Sequence, residues 1–209
     1  MTQSVCLIDY GSGNLHSAHK ALVKAAHDHD IHAEVHVTAD PALITAADRI
    51  VLPGVGAFGA CMEMLEARPG LREALEEAVQ GAGRPFLGIC VGMQLLARTG
   101  LEHGETAGLG WINGQVRALT APGLKIPHMG WNTVQGRGHA ILPEDADAYF
   151  VHSYCFDADD PASVQATCGH GEDFAAMIGR DNIVGVQFHP EKSQAYGLTL
   201  LANFMKWRP

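Results

Sequence analysis

Between Ser4 and Arg98, short β-branched apolar runs alternate with stretches whose apolar residues recur at helical spacing, and few folds accept that alternation. Ser4–Asp9, His32–Val37, Arg49–Leu52 and Phe86–Ile89 read as strands. Leu15–His27, a short segment opening at Asp40-Pro41, Ala57–Glu66, Leu71–Val79 and Val91–Arg98 read as helices, Asp40 serving as N-cap with proline at the first helical position. Repeated strand–helix units predict a parallel sheet covered on both faces. After Trp111 the texture changes to short strand-like runs between glycine-rich turns: Gly114–Leu119, Ala148–Phe156, Val164–Thr167, Ala175–Ile178 and Ile183–Phe188. Ala195–Trp207 closes the chain as a helix. The expectation is a single α/β domain over residues 1–209, with a mostly parallel central sheet, flanking helices and an added antiparallel portion.

Composition narrows the function classes. At about 150 residues per domain, 209 residues suit one domain, and 47% hydrophobic against 18% charged residues is the balance of a chain with a large core. Fourteen bases against 23 acids give a net charge of −9, and no basic run exists to follow a nucleic-acid backbone. The N-terminal residues lack the basic-then-apolar order of a signal peptide, and Pro85–Ala97 is too short to span a bilayer. Five scattered cysteines, Cys6, Cys61, Cys90, Cys155 and Cys168, form no C-x-x-C pair, the usage of a reducing compartment. A cytoplasmic location is expected, and the four cysteines other than Cys90 read as core.

Gly88-Ile89-Cys90-Val91-Gly92 lies between an apolar strand and a helix, the G-x-S-x-G nucleophile-elbow pattern with cysteine in place of serine. Such a turn leaves no room for side chains flanking the nucleophile. It sets the sulfur at a helix N-terminus, where thiolate is favoured, and lets the Val91 N–H act as an oxyanion donor. A small buried cysteine in a glycine-rich turn is the competing reading. Phe188-His189-Pro190-Glu191 supplies a partner, since His189 ends an apolar strand and residues two apart in extended chain share a face. Pro190 keeps His189 out of the helical region. Glu191 can then hold one imidazole nitrogen while the other faces Cys90, the logic of nucleophile, base and orienting carboxylate.

Gly88–Gln94 together with Gly185–Ser193 resembles the class I (triad) glutamine amidotransferases, whose fold is flavodoxin-like. Asp9–Leu15, Leu52–Phe58, His128–Asn132 and His152–Tyr154 are, more narrowly, similar to the glutaminase subunits of imidazole glycerol phosphate synthases. The one departure at the elbow is Val91 in place of leucine. The resemblance implies that Cys90 attacks the side-chain amide of glutamine, that His189 protonates the departing ammonia and that Glu191 orients His189. It implies a second oxyanion donor from Gly54 and Val55, with Gly56 in the same loop. It also implies a substrate pocket with Gln94, Ser153 and Tyr154, in which Glu102 holds the α-ammonium group. It implies a cyclase partner, a (βα)₈ barrel expected on a separate chain because none follows Pro209, and no metal or organic cofactor. Asn14, His128, Met129, Trp131, Asn132 and Lys192 are expected on the docking face, with residues 129–132 in a polar loop; Trp131 as a core aromatic is the alternative.

Two further patterns mislead. Gly54-Val55-Gly56-Ala57-Phe58-Gly59 matches a dinucleotide fingerprint, but the acid-ended strand needed roughly 20 residues on is replaced by a helical stretch. His27, His29, His32 and His36 with Asp28 and Asp30 suggest a metal site, yet they span a helix end and a strand and would not converge. The competing functions are a free-standing thiol hydrolase, such as a dienelactone hydrolase or peptidase, and a regulatory binding module with a vestigial triad. An intact Cys90, His189 and Glu191 argues against the second. The Asn14, His128–Asn132 and Lys192 set, which hydrolysis alone does not require, argues against the first.

Overall fold

The computed structural model describes residues 2–209. The first half alternates as the sequence predicts: β1 (Gln3–Ile8), α1 (Leu15–Asp28), β2 (Ala33–Thr38), α2 (Pro41–Ala46), β3 (Arg49–Gly54), α3 (Phe58–Glu66), α4 (Leu71–Glu76), β4 (Phe86–Cys90) and α5 (Val91–Gln94). The second half contributes β5 (Thr99–Gly100), β6 (Thr106–Ala107), β7 (Gly114–Ala118), β8 (His128–Gly136), β9 (Ala146–His152), β10 (Tyr154–Ala158), β11 (Val164–His170), β12 (Glu172–Arg180), β13 (Ile183–Val186) and α6 (Gln194–Lys206).

The large sheet runs β2-β1-β3-β4-β13-β12-β11-β8-β9, and β10-β7-β5-β6 form a smaller one. From β2 to β13 the neighbours pair in parallel; from β13 to β9 they pair antiparallel. Strands β3, β4 and β13 are buried along their whole length, as strands with helices on both faces must be. Burying each valine, leucine or isoleucine there is worth roughly 1.5–3 kcal/mol, which holds the centre of the sheet rigid under the site. Cys6, Cys61, Cys155 and Cys168 are buried, as expected of core residues.

The structure corrects four expectations. Residues 129–132 are not loop: they belong to β8, which pairs with β9. Polar residues occupy both faces of that strand, so its two-residue period is invisible as hydropathy. The apparent strand Ala148–Phe156 is two strands divided at Ser153, β9 in the large sheet and β10 in the small one. Helix α5 stops at Gln94 rather than Arg98, because the carbonyls of Leu95, Leu96, Ala97 and Arg98 accept bonds from Leu109, Ile112, Gly110 and Gly108 instead. Helix α4 stops at Glu76, and a π-helical turn, Glu77–Gly81, follows it. Among the described residues no helix is long and apolar enough to cross a membrane.

Candidate active site

The carboxyl ends of β3, β4 and β13, neighbours at the middle of the large sheet, bring the candidate residues together. Cys90 is the last residue of β4 and the N-cap of α5, with φ 55° and ψ −113°, the strained turn that an elbow requires. Two glycines make the turn possible. A side chain at Gly92 would collide with the Leu52 carbonyl of β3, and one at Gly88 with the Gly92 backbone 2.5–2.7 Å away. Val91 opens α5, so its N–H has no intrahelical acceptor and is available beside the sulfur.

His189 follows β13, and its Nδ1 lies 2.8 Å from Glu191 Oε1, both side chains only 3% exposed. The segment is held from two sides: His189 N–H donates to Tyr149 O at 2.9 Å, and Ser193 Oγ donates to His189 O at 2.6 Å. His189 Nε2 and Glu191 Oε2 are buried with no hydrogen-bond partner. Burial by itself depresses the imidazole, but Cys90 and Glu191 outweigh it and push the ring up to about 9. Both partners therefore favour an imidazolium, an acid beside a sulfur nucleophile.

Over Cys90 opens a cavity of about 280 Å³, lined among others by Gly56, Gln94, Glu102, Ser153, Tyr154 and Lys192. Glu102 Oε2 accepts the Phe58 N–H at 2.7 Å, capping α3, while the carboxylate lines the cavity and brings it a negative charge. Gln94 donates to Tyr154 O at 3.1 Å and to Gln187 Oε1 at 3.0 Å, so both of its amide hydrogens are spent and its oxygen is left as an acceptor. Together these offer an acidic anchor, an amide-reading acceptor and a nucleophile within one small polar cavity.

Several expected site residues sit differently. The Val55 N–H donates to Ser12 Oγ at 3.0 Å, and Ser12 Oγ donates back to Val55 O at 2.8 Å, so Val55 does not aim its N–H at Cys90 in this conformation. Gly54 pairs with Cys90 across β3 and β4 and underlies the site rather than lining the cavity. Gly56, at φ 97°, occupies backbone space that gives glycine freedom to reorient the loop. Asn14 Oδ1 caps α1 through Ser17 N–H at 3.4 Å and lines a crevice against Val55, His189 and Glu191.

The four proposed docking residues on β8 divide by strand parity. His128 and Asn132 project to the inner face of β8; His128 is only 4% exposed, so for it the expectation of presenting itself to a partner is corrected, while Asn132 is half-buried. Met129 and Trp131 project outward, 61% and 48% exposed. Trp131 packs edge-on against Tyr149, with ring centroids 5.9 Å apart, and Lys192 Nζ stands 5.7 Å from the same Tyr149 ring. Sequence reasoning gave no role to Ser12, Tyr149, His152 or Gln187, although all but Tyr149 fall within the motifs that carry the resemblance.

Comparison with known proteins agrees with this geometry. The sequence matches the glutamine amidotransferase class-I family over residues 6–207. It is 55% identical over 212 residues to the imidazole glycerol phosphate synthase subunit HisH of Rhodospirillum rubrum, covering 98% of this chain and 99% of that one. It is 54% identical over 213 residues to the protein of the same description from Caulobacter vibrioides, covering 99% and 100%. Among solved structures a glutamine amidotransferase superposes with a TM-score of 0.73 at 17% identity, covering 96% of this chain and 97% of that one. A glutamine amidotransferase from Thermotoga maritima gives 0.60 at 17% identity, covering 91% and 77%. With an elbow cysteine facing a buried His–Glu pair on this sheet, and with kinship across its whole length, the chain belongs to the class I glutamine amidotransferases and, within them, to the HisH subunits of imidazole glycerol phosphate synthase.

Proposed function

We propose that this chain hydrolyses glutamine to glutamate and ammonia through a Cys90 thioester and hands the ammonia to a (βα)₈ cyclase subunit in histidine biosynthesis. The buried Nδ1–Oε1 contact of 2.8 Å between His189 and Glu191, behind Cys90 at the elbow, is the observation that carries the reading. Glutamine enters with its α-ammonium group toward Glu102 and its side-chain amide at the sulfur. Cys90 adds to the amide carbon as thiolate, and the Val91 N–H receives charge on the oxygen. His189 gives its proton to the nitrogen, the C–N bond breaks, ammonia leaves and a thioester remains. Water, deprotonated by His189, then cleaves the thioester and returns the thiolate. With the Val55 N–H held by Ser12, one of the two oxyanion donors is missing from this conformation, which is the state expected of a glutaminase awaiting its partner.

Cys90→Ala tests the reading. Ammonia release from glutamine in the presence of the cyclase subunit should vanish while the thermal midpoint stays close to wild type, the lost volume being a single sulfur. A glutamine-analogue electrophile should add its mass to the Cys90 peptide and to no other cysteine peptide. Turnover near wild type in Cys90→Ala overturns the assignment.

A further inference from the structure

A buried pair of imidazoles lies between the outward-facing strand β8 and the elbow. His128 and His152 are directly opposed in the β8–β9 register, and His128 Nδ1 is 2.9 Å from His152 Nε2. His128 is also fixed in place by stacked rings, His170 at 4.2 Å and Phe150 at 5.0 Å between centroids. Each ring is held neutral, burial pushing both down to about 4.

The hydrogens of this pair can be placed by elimination. His152 Nδ1 lies 2.9 Å from Tyr154 O, a carbonyl that only accepts, so Nδ1 carries the proton and Nε2 is a lone pair. His128 Nδ1 must then donate to that lone pair, leaving His128 Nε2 to accept from Asn132 Nδ2 at 3.2 Å. Asn132 Nδ2 spends its second hydrogen on Gly169 O at 2.9 Å. At the far end Tyr154 O also receives Gln94 Nε2 at 3.1 Å, Gln94 donates to Gln187 Oε1 at 3.0 Å, and Gln187 Nε2 donates to Cys90 Sγ at 3.7 Å. A single hydrogen-bonded chain thus runs Asn132, His128, His152, Tyr154 O, Gln94, Gln187, Cys90, and at every link the proton has one direction.

We propose that Asn132, His128 and His152 are positioning residues for the Cys90 chemistry, joining β8 to the nucleophile by fixing the orientation of the Gln94 and Gln187 amides. The inference rests on the reading of Cys90 as the glutaminase nucleophile. Its physical content is that an amide side chain flips at little intrinsic cost. Gln187 keeps its N–H toward sulfur because its Oε1 accepts the Gln94 N–H, and a flip would set one NH₂ group against another. Gln94 in turn is oriented by Tyr154 O, which His152 shares. The outward neighbours Met129 and Trp131 lie on the same strand as His128 and Asn132, so a shift of β8 on partner contact moves the head of the chain.

The test uses His128, which does not line the cavity. His128→Phe keeps the stacked ring and removes both hydrogen bonds, and His128→Asn restores a donor near the Nδ1 position. In the complex with the cyclase subunit, kcat for ammonia release should fall about tenfold in His128→Phe, one hydrogen bond's worth near the top of its usual range, with KM little changed. On the isolated chain, alkylation of Cys90 by iodoacetamide should slow by a similar factor. His128→Asn should recover most of both. Nitrogen NMR of the wild-type imidazoles should find both rings as Nδ1–H tautomers, a readout that does not depend on any variant folding. Wild-type kcat and alkylation in folded His128→Phe, equal losses in both variants, or an Nε2–H tautomer at His152 would each overturn the chain. Where Cys90→Ala is inactive and His128→Phe is not, the positioning role fails and the function stands; an active Cys90→Ala removes the function itself.

Discussion

His189 sits under opposed influences, and their balance sets the pH behaviour of the site. Burial favours the neutral ring, while Cys90 and Glu191 favour the charged one and prevail, raising it from 6.5 to about 9. A base whose folded-state value is raised stabilises the fold fully below 6.5, and that contribution is lost as pH rises through about 9. Glu191→Gln keeps a hydrogen-bond acceptor at Nδ1 but removes the negative charge, so the imidazolium loses part of its support. The alkaline limb of kcat/KM should move to lower pH, kcat should fall by less than in His189→Ala, and the thermal midpoint should decline less steeply between pH 6.5 and 9 than in wild type. An unmoved alkaline limb would reduce Glu191 to a structural residue. The pair itself was legible in the sequence because proline fixes the geometry between the two residues. The engagement of Val55 by Ser12 was not, because it joins residues 43 apart through a hydroxyl that any turn serine carries.

At the scale of elements, legibility followed how strongly the backbone constrains the residue types. The elbow could be read because β3, β4 and α5 approach so closely that only glycine fits at 88 and 92. Strand β8 could not, since its inner face carries His128 and Asn132 and its outer face Met129 and Thr133, a pattern with no hydropathic period. The division of β9 from β10 was equally hidden, because the apolar residues continue past Ser153 while the chain changes sheets. The constraint at the elbow is testable. In Gly92→Ala the new methyl meets the Leu52 carbonyl, part of a fully buried strand that cannot retreat, so α5 must move and carry Cys90 with it. Stability should drop by about 1–3 kcal/mol in denaturant titration, the usual cost of overpacking. Glutaminase activity should fall further than that loss accounts for. A variant with wild-type midpoint and turnover would mean that the β3–α5 approach does not hold the nucleophile.

At the scale of the whole molecule, the cavity opens beside an exposed apolar rim on a chain of net charge −9. In the β8–β9 register Met129 opposes Val151 and Trp131 opposes Tyr149, so these four share the outer face, and Val151 lines the cavity itself. Lys192, whose ammonium stands over Tyr149 and makes no ion pair among the described residues, completes the rim. An exposed tryptophan next to a cation at the mouth of a site is the composition of an interface anchor rather than of a solvated surface. Ammonia released at Cys90 would be protonated in bulk water, so an acceptor site has to close over this mouth for the nitrogen to be used. The docking face is therefore expected to centre on Trp131 and Lys192, with Asn14 at its margin and with His128 and Asn132 acting from beneath. Titrating the cyclase subunit against wild type, Trp131→Ala and Lys192→Ala, while following both binding and ammonia release, measures this directly. Trp131→Ala should weaken binding by about 2 kcal/mol or more as an anchor residue. Lys192→Ala should cost about 2–5 kcal/mol where the partner buries a carboxylate against it. Trp131→Ala should retain the rate of Cys90 alkylation in the isolated chain, since its side chain neither lines the cavity nor is a link in the hydrogen bonds that reach the sulfur. Unchanged affinity and unchanged activation in both would move the docking face elsewhere and leave the chemistry at Cys90 as it stands.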